Sequence, residues 1–239
     1  MPRAAGIGRL IAVGWMAVGA VAPADPLASW SFDDGPPAGV QGGGGVHGAG
    51  IRLVGSHRLR VEIGELLERV ERLTLSAWVR PVSFDRYNEI LRQECPERLL
   101  FSFQEQGTIL SLGRDSGGYV ECDAPIDPKL VLDGCWHHAA ATFDGRTMRV
   151  YLDGRQIGGL ERPGVPRFNR SAAAFIGSMN GNGEFFQGGM DEVLILGEAL
   201  PEAAIRELHG RGIAAVGEQL ERRRKALATL IILACVDAL

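Results

Sequence analysis

An all-β sandwich or barrel with one terminal helix is the fold class this sequence predicts, and three observations predict it. Asp144-Gly145 and Asp153-Gly154 stand nine residues apart, each between apolar alternating runs. Such turns between alternating segments are the strongest short-range hairpin signal. Residues 73–80 alternate cleanly, with Leu73, Leu75, Ala77 and Val79 on one face and Thr74, Ser76, Trp78 and Arg80 on the other. That is the period of a strand. Glycine supplies 33 of 239 residues without a Gly-X-Y period, which points to many tight turns and excludes collagen.

The remaining elements follow in order. Residues 28–33 read as the first strand, ending in Asp33-Asp34-Gly35-Pro36-Pro37. Residues 42–45 are all glycine, a flexible run that neither strand nor helix favours. Strands at 51–54 and 58–61 flank the Gly55-Ser56 turn. Ile63, Leu66, Leu67 and Val70 have helical spacing, giving a short helix or a pair of turns. Pro81 ends the alternating strand. Further strands fall at 88–94, 99–104, 108–113 and 119–122, with turns at Gly107 and Ser116-Gly117-Gly118. Residues 136–143, 147–152 and 156–160 make a three-stranded antiparallel meander around the two Asp-Gly turns. Residues 175–177 and 185–196 add two strands. Pro201, Glu202 and apolar Ala204, Ile205 and Leu208 describe a short amphipathic helix that Gly210 stops.

Length and composition bound the function. The chain is long enough for one large β domain whose core needs no disulfide. A hydrophobic content of 46% excludes a disordered chain. A net charge of −4 gives no electrostatic reason to expect a nucleic-acid partner. Residues 1–22 carry the three-part pattern of a secretory signal: Arg3 and Arg9, an apolar run, and Ala20-Val21-Ala22. The apolar run of ~13 residues is short of the ~20 that span a bilayer. Cleavage after Ala22 would take the net charge from −4 to −6 by removing two arginines, and the mature protein is expected to be secreted, periplasmic or at the cell surface, without a membrane span. Cys95, Cys122, Cys135 and Cys235 show no zinc spacing. Cys122 and Cys135 bracket one loop and are the pair the layout can bring together; otherwise both are free and buried. The strands ending near Cys95 and Cys122 should finish at opposite ends of their sheet, which disfavours a bridge between them.

Several motifs line up in one order: Trp30-Ser31-Phe32-Asp33, Leu73 to Pro81, Trp136 to Gly145, Met148 to Gly154, Gln187 to Val193, and Ala199-Leu200-Pro201 leading to Ile205. This series resembles the laminin-G-like, concanavalin-A-like jelly-roll domains of secreted bacterial proteins. The resemblance covers about 28–209. It implies a two-sheet antiparallel jelly roll over 27–209, used as a recognition or adhesion module for carbohydrate or a cell-surface protein, often beside other domains of a larger assembly. It also implies a calcium ion where the first strand's turn meets the last strand, carried here onto Asp33, Asp191 and main-chain carbonyls near Gly50. Calcium wants six or more oxygens, and glycine loops let carbonyls approach closely. The alternative roles are a turn-former for Asp33 and a pin for its own backbone for Asp191.

The same fold hosts β-glucanases, which stack three carboxylates on one strand face. Glu121-Cys122-Asp123-Ala124-Pro125 matches only in part, lacking the third carboxylate. Asp191 and Glu192 are adjacent, so alternation sends them to opposite faces. No G-x-S-x-G, P-loop or H-E-x-x-H motif is present. A non-catalytic module is therefore expected, the alternatives being a degenerate glycoside hydrolase or a structural module of a larger surface protein. His137-His138 reads as strand packing, and Trp78 and Trp136 as core residues rather than sugar platforms. Asp85, Arg86 and Tyr87 in one loop, and Asn180 and Asn182 in another, are the candidate ligand contacts. Residues 210–239 form a tail that reads as helix from 218, with Arg222-Arg223-Arg224-Lys225 ahead of an apolar stretch too short to span a membrane.

Overall fold

The computed structural model describes the backbone of residues 25–94 and 98–236, and the side chains of these residues through 218 together with that of Glu221. The expected secretory signal and Cys95 lie outside the described residues. Fourteen strands are formed: β1 (Ala28–Trp30), β2 (Gln41–Gly44), β3 (Ala49–Leu53), β4 (Leu59–Val61), β5 (Leu73–Ser83), β6 (Tyr87–Gln93), β7 (Leu99–Gln104), β8 (Ile109–Asp115), β9 (Tyr119–Pro125), β10 (His137–Phe143), β11 (Thr147–Leu152), β12 (Arg155–Glu161), β13 (Ala174–Ile176) and β14 (Gln187–Leu196). Two helices accompany them, α1 (Gly64–Leu67) and α2 (Glu202–Val236).

The strands build two antiparallel sheets. The eight-stranded sheet has the order β12-β11-β10-β5-β14-β3-β2, with β1 also on β14, and the six-stranded sheet runs β4-β13-β6-β7-β8-β9. The alternating sets read from the sequence meet between them. Leu73, Leu75, Ala77 and Val79 of β5 face Leu99, Phe101 and Phe103 of β7 and Leu110 and Leu112 of β8 in one apolar core. The β10-β11-β12 meander turns at the two Asp-Gly pairs as expected, with Asp153 at φ 49 and Gly154 at φ 76.

Four local expectations are corrected. Gly42, Gly43 and Gly44 belong to strand β2, paired with Ile51, Gly50 and Ala49. Neighbouring backbone stabilises there what glycine's own preferences do not. Pro81 does not end β5, which runs on to Ser83. Pro81 sits opposite Gly188, at a register shift in β14, and a missing amide donor is tolerated at a bulge. Gly210 does not stop the last helix, which runs unbroken to Val236. A mid-helix glycine costs only about 1 kcal/mol, and packing around it outweighs that. Cys122 and Cys135 are both free, and Cys135 is exposed rather than buried.

Helix α2 crosses the outer face of the larger sheet. Arg206 and His209 sit against Gly154, in the β11–β12 turn. Gly212 lies on Trp78 of β5, leaving no room for a Cβ. Glu218 acts electrostatically on His47, between β2 and β3. Ile205 and Leu200 form a small second core with Ala140, Tyr151 and Leu196. Among the described residues, no helix is long and apolar enough to cross a membrane.

Candidate functional site

The resemblance pointed to the junction of β1, β2, β3 and β14, and the chain does bring Asp33 and Asp191 to that junction. Asp191 is fully buried; its Oδ2 accepts the Val46 and His47 amides at 2.7 and 3.2 Å and its Oδ1 accepts the Glu192 amide at 2.9 Å. Asp33 Oδ1 accepts the Ala49 amide at 3.0 Å. Two glycines make this approach feasible. A Cβ on Gly45 would lie 2.3 Å from Asp191 Oδ2, and one on Gly48 would lie 2.1 Å from Asp33 Oδ1. Gly50 packs on Gly45 and the Met190 carbonyl rather than on either carboxylate.

Glu192 joins the pair, which alternation did not foresee. A register shift follows Asp191 in β14, and Glu192 has φ 47, so the alternation of side chains fails there. Burial, with the Glu192 charge adding to it, pushes the Asp191 carboxyl up to about 8. Burial and the Asp33 carboxylate push Glu192 up to about 7. The compensating donors are backbone amides. Among the described residues no group of three or more His, Cys, Asp or Glu side chains is arranged to hold a metal by itself. An ion here would therefore need main-chain carbonyls beside Asp33, Asp191 and Glu192, and carboxyls gathered at one junction are chemistry a hard cation relieves.

The two candidate ligand loops lie on the other sheet and meet along one edge. The Glu89 amide of β6 donates to the Glu184 carbonyl at 3.1 Å, which sets the 85–88 loop beside the 178–184 loop. Arg86 stacks on Tyr87 with 5.2 Å from guanidinium to ring centre and reaches Glu105. Asp85 and Asn88 close a small turn on each other, the Asp85 amide donating to Asn88 Oδ1 and Asn88 Nδ2 to the Asp85 carbonyl. Asn180, at φ 49, forms a tight turn in which the Asn182 amide donates to the Met179 carbonyl. Both asparagines are exposed.

Between these loops and β9 the outer face of the six-stranded sheet is polar. Glu89, Ser102, Ser111 and Asp123 stand opposite one another on β6, β7, β8 and β9. Ser111 donates to Asp123 Oδ1 at 2.6 Å. Gln104 Nε2 donates to Glu121 Oε2 at 2.8 Å, a bridge that crosses this row. Arg92 is enclosed by Glu89 and Glu184, each 2.6 Å from Nη1, and by Glu94. Arg98 pairs with Glu94 and stacks on Tyr119. The sequence showed Glu121 and Asp123 sharing a face, but the cross-strand row depends on pairing register, which no single strand reveals.

Both adjacent histidines make side-chain hydrogen bonds. His137 bonds Asp153 through Nδ1 at 2.9 Å and Asp133 through Nε2 at 3.0 Å. His138 bonds Ser76 at 2.8 Å, but its Nδ1 has no partner and the pair is buried. No carboxylate orients that ring, so this is not a nucleophile set. Trp78 is 3% exposed beneath α2, stacked on His209, and Trp136 packs between Arg80 and Gly189.

Two facing antiparallel sheets with this strand order define a jelly-roll sandwich of the concanavalin A-like class. The chain belongs to the Laminin_G_3 family, of the concanavalin A-like lectin/glucanases superfamily, whose model matches residues 54–206. No curated protein matches the chain in sequence. Among solved structures it is similar to domain 4 of AbnA, an extracellular GH43 arabinanase from Geobacillus stearothermophilus, in complex with arabinotriose (TM-score 0.61, 20% identity, 79% of this chain and 100% of that one). It is also similar to the binding domain of Paraclostridial Mosquitocidal Protein 1 (0.58, 17%, 72% of this chain) and spans 45% of that chain's length. A third is the CBM40 of a Ruminococcus gnavus IT-sialidase, bound to α2,3-sialyllactose (0.57, 10%, 77% of this chain and 100% of that one). At these identities the likeness is one of fold.

Proposed function

We propose that the chain is an exported, non-catalytic module that recognises glycans, with a calcium ion held beside Asp33, Asp191 and Glu192. The observation that carries the reading is the outer face of the six-stranded sheet. One face of the larger sheet is covered by α2, while this face presents a phenol hydroxyl and two carboxylates toward solvent at Tyr119, Glu121 and Asp123. Glu121 and Asp123 are held by Gln104 and Ser111, and Pro125 stands where a third carboxylate of a hydrolase would be. Of the solved neighbours of the same fold, one is a binding domain, one is a CBM40 bound to α2,3-sialyllactose, and one is an arabinanase domain in complex with arabinotriose. Calcium would supply positive charge among carboxyls that otherwise meet only amides. The test is a glycan array probed with the full chain, with calcium and then with chelator, beside a panel of chromogenic glycosides. Glycan binding without turnover is the expected result. Hydrolysis abolished by Glu121→Ala or Asp123→Ala would replace this reading with an enzyme, and binding only to surface protein would replace its ligand.

A further inference from the structure

The outer face of the six-stranded sheet carries a polar atom that folding has buried and left without a partner. Ser102 is 0% exposed, and its Oγ makes no hydrogen bond. Such a group usually costs free energy, because water satisfies it in the unfolded chain. It lies in the row Glu89–Ser102–Ser111–Asp123. At about 4.8 Å per strand the row extends roughly 14 Å, enough for more than one sugar ring. It deepens from exposed Asp123 on β9 to buried Glu89 on β6. The Gln104–Glu121 bridge crosses the row beside Ser111, whose Oγ lies 3.5 Å from Glu121 Oε2. That bridge spans two strands through flexible side chains, so a ligand can displace it without moving backbone.

The charges on this face decide what the row takes. Three guanidiniums border this face, each set against carboxylate: Arg92 against Glu89, Glu94 and Glu184, Arg98 against Glu94 and the Tyr119 ring, and Arg86 against Glu105. The carboxylates toward solvent are Glu121 and Asp123, each with hydrogen-bond capacity to spare once Gln104 and Ser111 are counted. A carboxylated sugar would meet like charge there, whereas hydroxyls and amines bring the donors that carboxylates and serine oxygens accept.

We infer that the Glu89–Ser102–Ser111–Asp123 row is the ligand subsite of the module, and that it selects glycans bringing hydrogen-bond donors and no carboxylate. The inference rests on the glycan reading above and goes beyond it to the residues and the sugar class. Isothermal titration of the full chain tests it, with three probes: arabinotriose as a neutral sugar, a deacetylated glucosamine tetramer as an amine-bearing one, and sialyllactose as an acidic one. The first two should bind, with sialyllactose at least about tenfold weaker. Asp123→Asn and Ser102→Ala should each weaken binding roughly tenfold, the effect of one lost hydrogen bond. A hydroxyl without a partner adds nothing to the fold, so Ser102→Ala should keep or raise the melting temperature; that separates lost binding from lost structure. Sugar binding that neither variant changes puts the ligand elsewhere and overturns the subsite, while the glycan reading stands. Equal or tighter binding of sialyllactose overturns the selection. Absence of binding to all three probes and to the array overturns both readings.

Discussion

Asp191 gives up all contact with water on folding and receives only three amide donors in exchange. Its carboxyl therefore rises from the ordinary 3.8 to about 8, and Glu192 rises from 4.5 to about 7. Between each pair of values the folded chain binds more protons than the unfolded one, so stability falls as pH rises through that window. The first prediction is a melting temperature in chelator that declines from pH 5 to pH 8. His137, raised by its two aspartates despite burial, works in the same direction above its ordinary 6.5, while His138 and His47, lowered by burial, work against it below 6.5, so the comparison must be made against Asp191→Asn, in which the decline should be shallower. A cation bound only by the folded state adds about 2.7 kcal/mol when its concentration is 100 times Kd. Calcium should therefore raise the melting temperature more at pH 8 than at pH 5, and Asp191→Asn should lose most of that rise. Identical curves with and without calcium at both pH values would make Asp33 and Asp191 backbone anchors alone. The meeting of Asp33 and Asp191 at one junction was legible because the motif order places them there. Glu192 was not, because a register shift is set by the partner strands.

Among the elements, α2 shows how contact overrides local signals. Gly210 read as a stop, yet the helix passes through it and seats Gly212 on the Trp78 indole. A Cβ at Gly212 would lie 2.1 Å from Trp78 Cζ2. Gly212→Ala should thus lift this turn from the sheet, although alanine is the better helix former. The expected cost is about 1 to 3 kcal/mol, the usual range for overpacking, with a red shift of tryptophan emission as Trp78 meets water. Unchanged stability and emission would mean that this turn is not seated on the sheet. The strands that sequence revealed best, β5 and β11, alternate apolar and polar residues over 73–80 and 147–152. Strand β2 was illegible, since Gly42, Gly43 and Gly44 carry no side chain whose pattern could be read and the strand exists through its ladder to β3. Pairing of 51–54 with 58–61 across Gly55-Ser56 does not occur either: β3 and β4 enter different sheets, a parting that no local turn signal records.

At the scale of the molecule, both sheets depend on one apolar layer. Phe101 on β7 and Leu75 on β5 belong to the same buried cluster, though they lie in different sheets. Phe101→Ala should cost about 3 to 5 kcal/mol, and the loss should be shared. Near-ultraviolet circular dichroism and tryptophan fluorescence should then report one common unfolding transition, moved to lower denaturant. Two separate transitions would show that the sheets unfold independently.

The course of α2 across the larger sheet also bears on the proposed glycan reading. Strands β5, β10, β11 and β14 present their outer side chains to the helix at Trp78, Ala140, Tyr151 and Leu196, so that side of the sandwich is spent on intramolecular packing. The other sheet's outer face remains. If the proposed glycan reading holds, a domain binding a repeating polymer through that face alone would grip it at a single point, with the dwell time of one weak contact. Firm attachment to a surface then comes from placing several copies close together, where each bound copy raises the effective concentration of its neighbours by orders of magnitude without any new contact.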